Sequence, residues 1–227
     1  MQGNLRALGL ALLAVFALSA LAAQGASAHV FTSDSESERT VLTGRDEPET
    51  NNVLTVAGAE VQCENAHFEG TVEGSEANEV TVRPEYTDCL FAGNEAVVHT
   101  NDCAEILHSS TAEGHATVDV ECAEGDEIEV TVPVLGITIT VAEQADLSGV
   151  HYTNVAEGVT VEATLEGIHM VCIGNEFWCH FIFGSDTTAF AETSGLMEVV
   201  GYEDEGNNGT ATTPDYVEGQ QVDIAVS

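Results

Sequence analysis

Lysine is absent from the chain, and arginine occurs only at positions 6, 39, 45 and 83, against 39 aspartates and glutamates. The formal net charge is −35. A surface of that sign repels phosphate backbones and anionic headgroups, which excludes nucleic acid and anionic membrane as partners. The usual catalytic signatures are missing too. There is no Gly-x-Ser-x-Gly elbow, no His-Glu-x-x-His, no phosphate loop and no dinucleotide fingerprint. Beyond the first two dozen residues no apolar run approaches the length of a membrane span, and the mature chain shows no amphipathic helical stripe. No cofactor is implied.

What is present begins with Arg6, an apolar run from Ala7 to Ala23, and Ala26-Ser27-Ala28. That is the charged, apolar and small-residue order of a secretory signal, with cleavage after Ala28 and His29 as the mature N-terminus. No basic stop-transfer residues follow the run, and no cysteine stands where a lipid anchor needs one, so a secreted, extracellular product is expected. Arg6 leaves with the signal, so 39 acids then face three arginines, a formal −36. Acids spread along the whole chain read as a solvated surface suited to a saline habitat. The competing reading is that clustered carboxylates serve calcium.

Residues 29–51 are polar and acidic, with Thr40-Val41-Leu42-Thr43-Gly44 as one strand-like island, and read as an extended arm. From residue 52 to 227, short runs of Val, Ile, Thr and Ala alternate with polar residues between turn clusters. This is the period-two signature of strands. Ala116, Val118, Val120 and Cys122 share one face, while Thr117, Asp119 and Glu121 share the other. Residues 128–132, 137–141 and 159–165 repeat the pattern, and 222–226 reads as a last strand. The expected fold is all-β, an antiparallel sandwich in a single domain, with a two-lobed version divided near Gln144 to Asp146 as the runner-up.

Six cysteines in an exported chain predict a disulfide framework. Cys63 and Cys89 are symmetric about Glu76 in a turn-like Gly74-Ser75-Glu76-Ala77-Asn78. Cys103 and Cys122 are symmetric about Ala112-Glu113, and Cys172 and Cys179 about Asn175-Glu176. Three such symmetries favour pairing in sequence order, each bridge crossing a hairpin. A metal or redox role for Cys172, Cys179 and His180 is the alternative, but the cysteine gap is wider than the two residues of such motifs. Phe177, Trp178, Phe181 and Phe183 read as core packing at a strand end, with an exposed platform for carbohydrate or a partner as the alternative.

Two metal readings remain. A free amine and imidazole at His29 form a copper chelate, completed by His99, His108 or His115. Exported copper proteins such as polysaccharide monooxygenases begin their mature chains this way, a resemblance of one residue. Glu124 to Glu127 and Glu203 to Asn208 are acid-dense loops open to calcium, and neither has EF-hand spacing.

The chain resembles a family of uncharacterised exported proteins of soil actinobacteria. The matching landmarks are Thr40 to Gly44, Val61-Gln62-Cys63, Thr87-Asp88-Cys89, Thr100-Asn101-Asp102-Cys103, Val118 to Cys122, and Leu147-Ser148-Gly149-Val150-His151-Tyr152-Thr153-Asn154. The resemblance implies no activity. The chain departs from it in its acidity and in Leu135-Gly136-Ile137, where relatives carry a cysteine, so no relative's pairing is carried over. The expected function is a secreted non-catalytic binding or structural module, with divalent cations or an envelope partner as its ligands. The alternatives are a metal-binding protein or enzyme using His29 and a glycan-acting hydrolase.

Overall fold

The computed structural model describes residues 30–35, 38–46, 52–109, 115–156, 158–185, 187–203 and 221–226. The strands are β1 (Phe31–Ser33), β2 (Arg39–Asp46), β3 (Asn52–Val56), β4 (Ala59–Glu73), β5 (Glu76–Ala77), β6 (Glu79–Phe91), β7 (Asn94–His99), β8 (Ala104–His108) and β9 (His115–Glu121). They continue with β10 (Ile128–Val132), β11 (Ile137–Val141), β12 (Gln144–Val155) and β13 (Gly158–Gly174), then helix α1 (Glu176–Phe183), β14 (Thr188–Glu203), β15 (Gln221–Val222) and β16 (Ile224–Val226). The fold is all-β and antiparallel, as the alternation predicts.

Both faces of the sandwich belong to one sheet that closes on itself. Strands β4, β6, β13 and β14 run 15, 13, 17 and 16 residues, up to about 50 Å or more at the usual rise per residue. They pair as two long ribbons, β4 with β6 and β13 with β14. At one end the ribbons are joined by β8, β9 and β12 on one side and β2 on the other, completing a ring of eight strands. At the other end β7, β10 and β11 bridge one side and β3 the other, completing a second ring of eight. Closure leaves these ring strands paired on both edges, which removes the exposed edges that invite aggregation. The two lobes therefore divide along the length of shared strands and not at Gln144 to Asp146, where β12 begins.

The ribbons change their inward face at the waist between the rings. On β4 the buried residues are Val61 and Cys63 in the second ring, then Ala66, Phe68 and Val72 in the first. On β6 they are Val80, Val82 and Pro84, then Cys89 and Phe91. On β13 Val161 and Leu165 give way to Ile168, Met170 and Cys172 across Gly167, whose positive φ of 79° accommodates the bulge. The interior is one continuous apolar cluster through both rings. Outward positions carry charge, including Glu60, Glu64, Glu69 and Glu73 on β4 and Glu162 and Glu166 on β13. That is the inverse of the apolar belt of a lipid-facing barrel. No described helix is long and apolar enough to cross a membrane.

Within the segment read as an acidic arm, β1 and β2 are strands of the two sheets. Residues of β2 pair with β4 on one edge and β14 on the other, burying Thr40 and Leu42. Their backbone bonds are long-range, so a reading of local pattern misses them. The segment after Cys172 is also different from the expected hairpin. Asn175 caps α1, its Oδ1 accepting from the Phe177 N–H at 3.1 Å, and Gly184 ends it. The run Phe-Trp-Cys-His-Phe-Ile-Phe is apolar at six of seven positions, with exposed Phe177 and Phe181 beside Glu176 and His180, which hides the helix from periodicity. Cys179 and Phe183 are buried, Trp178 is half-buried, and Phe177 and Phe181 are exposed.

Three disulfides join Cys63–Cys89, Cys103–Cys122 and Cys172–Cys179. The first links register partners of the β4/β6 ribbon, the second flanks the β8/β9 pair, and the third ties the end of β13 to α1. Their sequence separations of 26 and 7 make the first and third unequal constraints on the unfolded chain. Replacing Cys63 and Cys89 by alanine should cost about 3 to 4 kcal/mol, against about 2 kcal/mol for Cys172 and Cys179, on loop-closure entropy. Chemical denaturation of the two double variants measures the difference, and equal losses would contradict it.

Candidate functional site

The first ring is capped. β1, β5 and β16 form a three-stranded sheet, with β1 in the centre. β5 lies in the turn that joins β4 to β6, which places this sheet at the end of the first ring. Asn154, beside the β12/β13 turn, donates to the Val226 carbonyl at 2.9 Å and accepts from the Val226 N–H at 2.8 Å. The Ser33 N–H donates to the Ser75 carbonyl at 3.0 Å, and the Asp34 N–H to the Asp223 carbonyl at 3.1 Å. Beneath, the buried Ser33 and Thr40 hydroxyls are 2.7 Å apart.

Below the cap the interior is incompletely filled, leaving a cavity of about 40 Å³. Its walls include Leu42, Phe68, Val80, Leu107, Val161 and Met197 from the ring, with Phe31 and Ile224 from the cap. No charged side chain lines it. Tyr152, on β12, forms part of the wall and meets Phe31 edge-to-face at 5.2 Å. The Tyr152 hydroxyl is fully buried and has no hydrogen-bond partner among the described residues. Burial pushes its pKa above the ordinary tyrosine value, so the hydroxyl stays a neutral donor. An unsatisfied buried hydroxyl costs on the order of 1 to 3 kcal/mol, a cost that a bound acceptor would remove.

A second polar group occupies the waist. Tyr86 on β6 donates to Glu105 on β8 at 3.4 Å and packs edge-to-face on Phe68 at 5.8 Å. Burial raises the Glu105 carboxyl to about 7, with the Tyr86 bond opposing it. Asp46, at the end of β2, accepts from the Ala66 N–H at 2.7 Å and from Asn52. Its pKa is raised by burial against those two bonds. Burial, then the nearby Glu105 and Asp46 charges, raise Tyr86 as well. A glycosidase needs two carboxylates facing each other across substrate. Here Asp46 is committed to the backbone of β4 and Glu105 to Tyr86, so both close the junction between the rings.

The histidines named from sequence are dispersed. His29 lies outside the described residues. His99 is exposed on β7, opposite Glu129 in the second ring. His108, in the first, is held by Asp119 at 2.9 Å and Glu79 at 3.7 Å. The Asp146 N–H, then His108, keep the Asp119 carboxyl below its usual range. His115 is the register partner of His151 on β12. Among the described residues no three His, Cys, Asp or Glu side chains are grouped to hold a metal. Of the two acidic loops, Glu124 to Glu127 holds a turn closed by the Asp126 N–H on the Ala123 carbonyl, and residues 204–208 lie outside the described residues.

Sequence reading missed Phe31, Tyr86, Glu105 and Tyr152. The available signal for Tyr152 was its parity with Val150 beyond the bulge at Gly149, which aims both inward. The chain matches no protein-family model, no curated protein and no solved structure.

Because Glu105 is raised from 4.5 to about 7, the folded state holds a proton that the unfolded chain has lost between those values. Its contribution to stability therefore falls as pH rises from about 4.5 to 7, and the cost is complete above that, at most about 3 kcal/mol. Glu105→Gln should be more stable than the parent at pH 8 and equal to it at pH 4. Denaturation at both pH values checks this, and a variant less stable at pH 8 would contradict it.

Proposed function

We propose that this chain is an exported, non-catalytic binding module that holds a small molecule inside its first ring. The observation that carries this reading is Tyr152, a wall residue of a largely apolar cavity whose own hydroxyl is buried and unpartnered among the described residues. Cores are close-packed, and a void beside an unsatisfied polar atom is a double cost that ligand binding offsets. The setting agrees. Three disulfides persist in an oxidising compartment, and a charged exterior on a closed sheet keeps such a module dissolved. The leader at residues 1–28 and the resemblance to exported actinobacterial proteins belong to the same reading.

Xenon enters apolar cavities too small for most ligands. Methyl NMR under xenon pressure should shift Leu42, Val80, Leu107 and Met197 selectively. Val161→Phe should fill the space and suppress those shifts while leaving Ile139, in the second ring, unchanged. Absence of shifts in the parent, or shifts centred on the second ring, would refute the location.

A further inference from the structure

At about 40 Å³ the cavity is too small for most organic ligands, whose pockets run from roughly 300 Å³ upward. One of the large side chains that bound it is supplied by the cap. Phe31 is 9% exposed, lines the cavity and lies against the Tyr152 ring. It belongs to a strand of three residues, held by three register pairs to β16 and two to β5. The ring strands have far more pairing: β2 has seven register partners on β4 and seven on β14. The cap over the cavity is therefore held by far fewer backbone pairs than the ring strands beneath it.

Resting on the binding reading above, we infer that Phe31 is a built-in placeholder, and that the ligand is a neutral, mainly apolar molecule carrying one hydrogen-bond-accepting oxygen. The ligand displaces the Phe31 ring and takes the Tyr152 O–H bond. Size follows from the placeholder: the space released is that of a benzyl group added to the existing void. Polarity follows from the walls, which are hydrocarbon apart from Tyr152 and Thr32, and the Thr32 hydroxyl already donates to the Ala225 carbonyl at 3.2 Å. Charge follows from the absence of any cation at the walls and from the chain's −35, both of which disfavour a carboxylate entering an apolar interior. Tyr152 remains protonated, so it donates to a carbonyl, ether or hydroxyl oxygen.

Three benzene-sized probes separate the parts of this inference: acetophenone, toluene and benzoate at pH 7. Affinities are read from shifts of the cavity methyls in the parent, Phe31→Ala, Phe31→Leu and Phe31→Ala/Tyr152→Phe, each checked for near-UV circular dichroism and intact disulfides. In Phe31→Ala, acetophenone should bind at least about tenfold tighter than in the parent, with Phe31→Leu between them. It should exceed toluene by about three- to tenfold, the worth of one hydrogen bond, and benzoate by more. Adding Tyr152→Phe should bring acetophenone and toluene level.

Benzoate binding as well as acetophenone, or an acetophenone preference that survives loss of the hydroxyl, overturns the ligand class while leaving the cavity reading intact. Equal acetophenone affinity in the parent and Phe31→Ala overturns the placeholder role alone. No probe at the cavity methyls in any folded variant overturns the binding reading itself.

Discussion

Two ribbons, β4 with β6 and β13 with β14, are the constraint on which the rest of the structure depends. The first is paired at ten positions and the second at twelve, and both cross the two rings, so neither ring closes without both ribbons. Shared strands also explain why the chain has one continuous core despite two ring closures. Most of the contacts that close the rings join residues distant in sequence, β2 with β14 being the extreme case. Folding must therefore overcome substantial loop-closure entropy before those pairings are rewarded. The Cys63–Cys89 bridge sits within one ribbon and shortens that search once formed.

The distribution of charge and burial follows from closure. A closed sheet has an inside and an outside, and alternation sends apolar residues in and acids out. The acids meet water, where solvent and salt weaken their mutual repulsion. The exceptions are at the waist, where the ribbons change their inward face and backbone groups lose regular partners. Asp46 accepts from the Ala66 N–H there, and Tyr86 and Glu105 satisfy one another. Their raised pKa values follow first from burial, opposed at Asp46 and Glu105 by their hydrogen bonds and increased at Tyr86 by the two nearby carboxylates.

Strand identity was legible where alternation is unbroken. Residues 115–121, 128–132, 137–141 and 159–165 read correctly as strands because one parity stays inward through each, while Cys122 lies just past the end of β9. The long strands were not legible as single elements, since β4, β6 and β13 switch parity at the waist and present two short patterns apiece. Ring closure and the role of β2 rest on long-range pairing, which local pattern does not encode. The helix was hidden by a run apolar at six of seven positions. The candidate site was the least legible part, because a lone phenylalanine on a polar segment and a lone tyrosine on a strand acquire meaning only when the cap seats one against the other.

Ligand entry under the proposed function depends on a difference in stability between a doubly paired barrel and a small cap. On the proposed binding reading, the cap opens while the barrel stays closed, giving a ligand access to Tyr152. Native-state hydrogen exchange measures this directly. The account predicts that the amides of Ser33 and Asp34, bonded to Ser75 and Asp223, exchange through a local opening well below the global unfolding free energy, while β2, β4 and β14 exchange only with global unfolding. Cap amides that exchange at the global rate would contradict it.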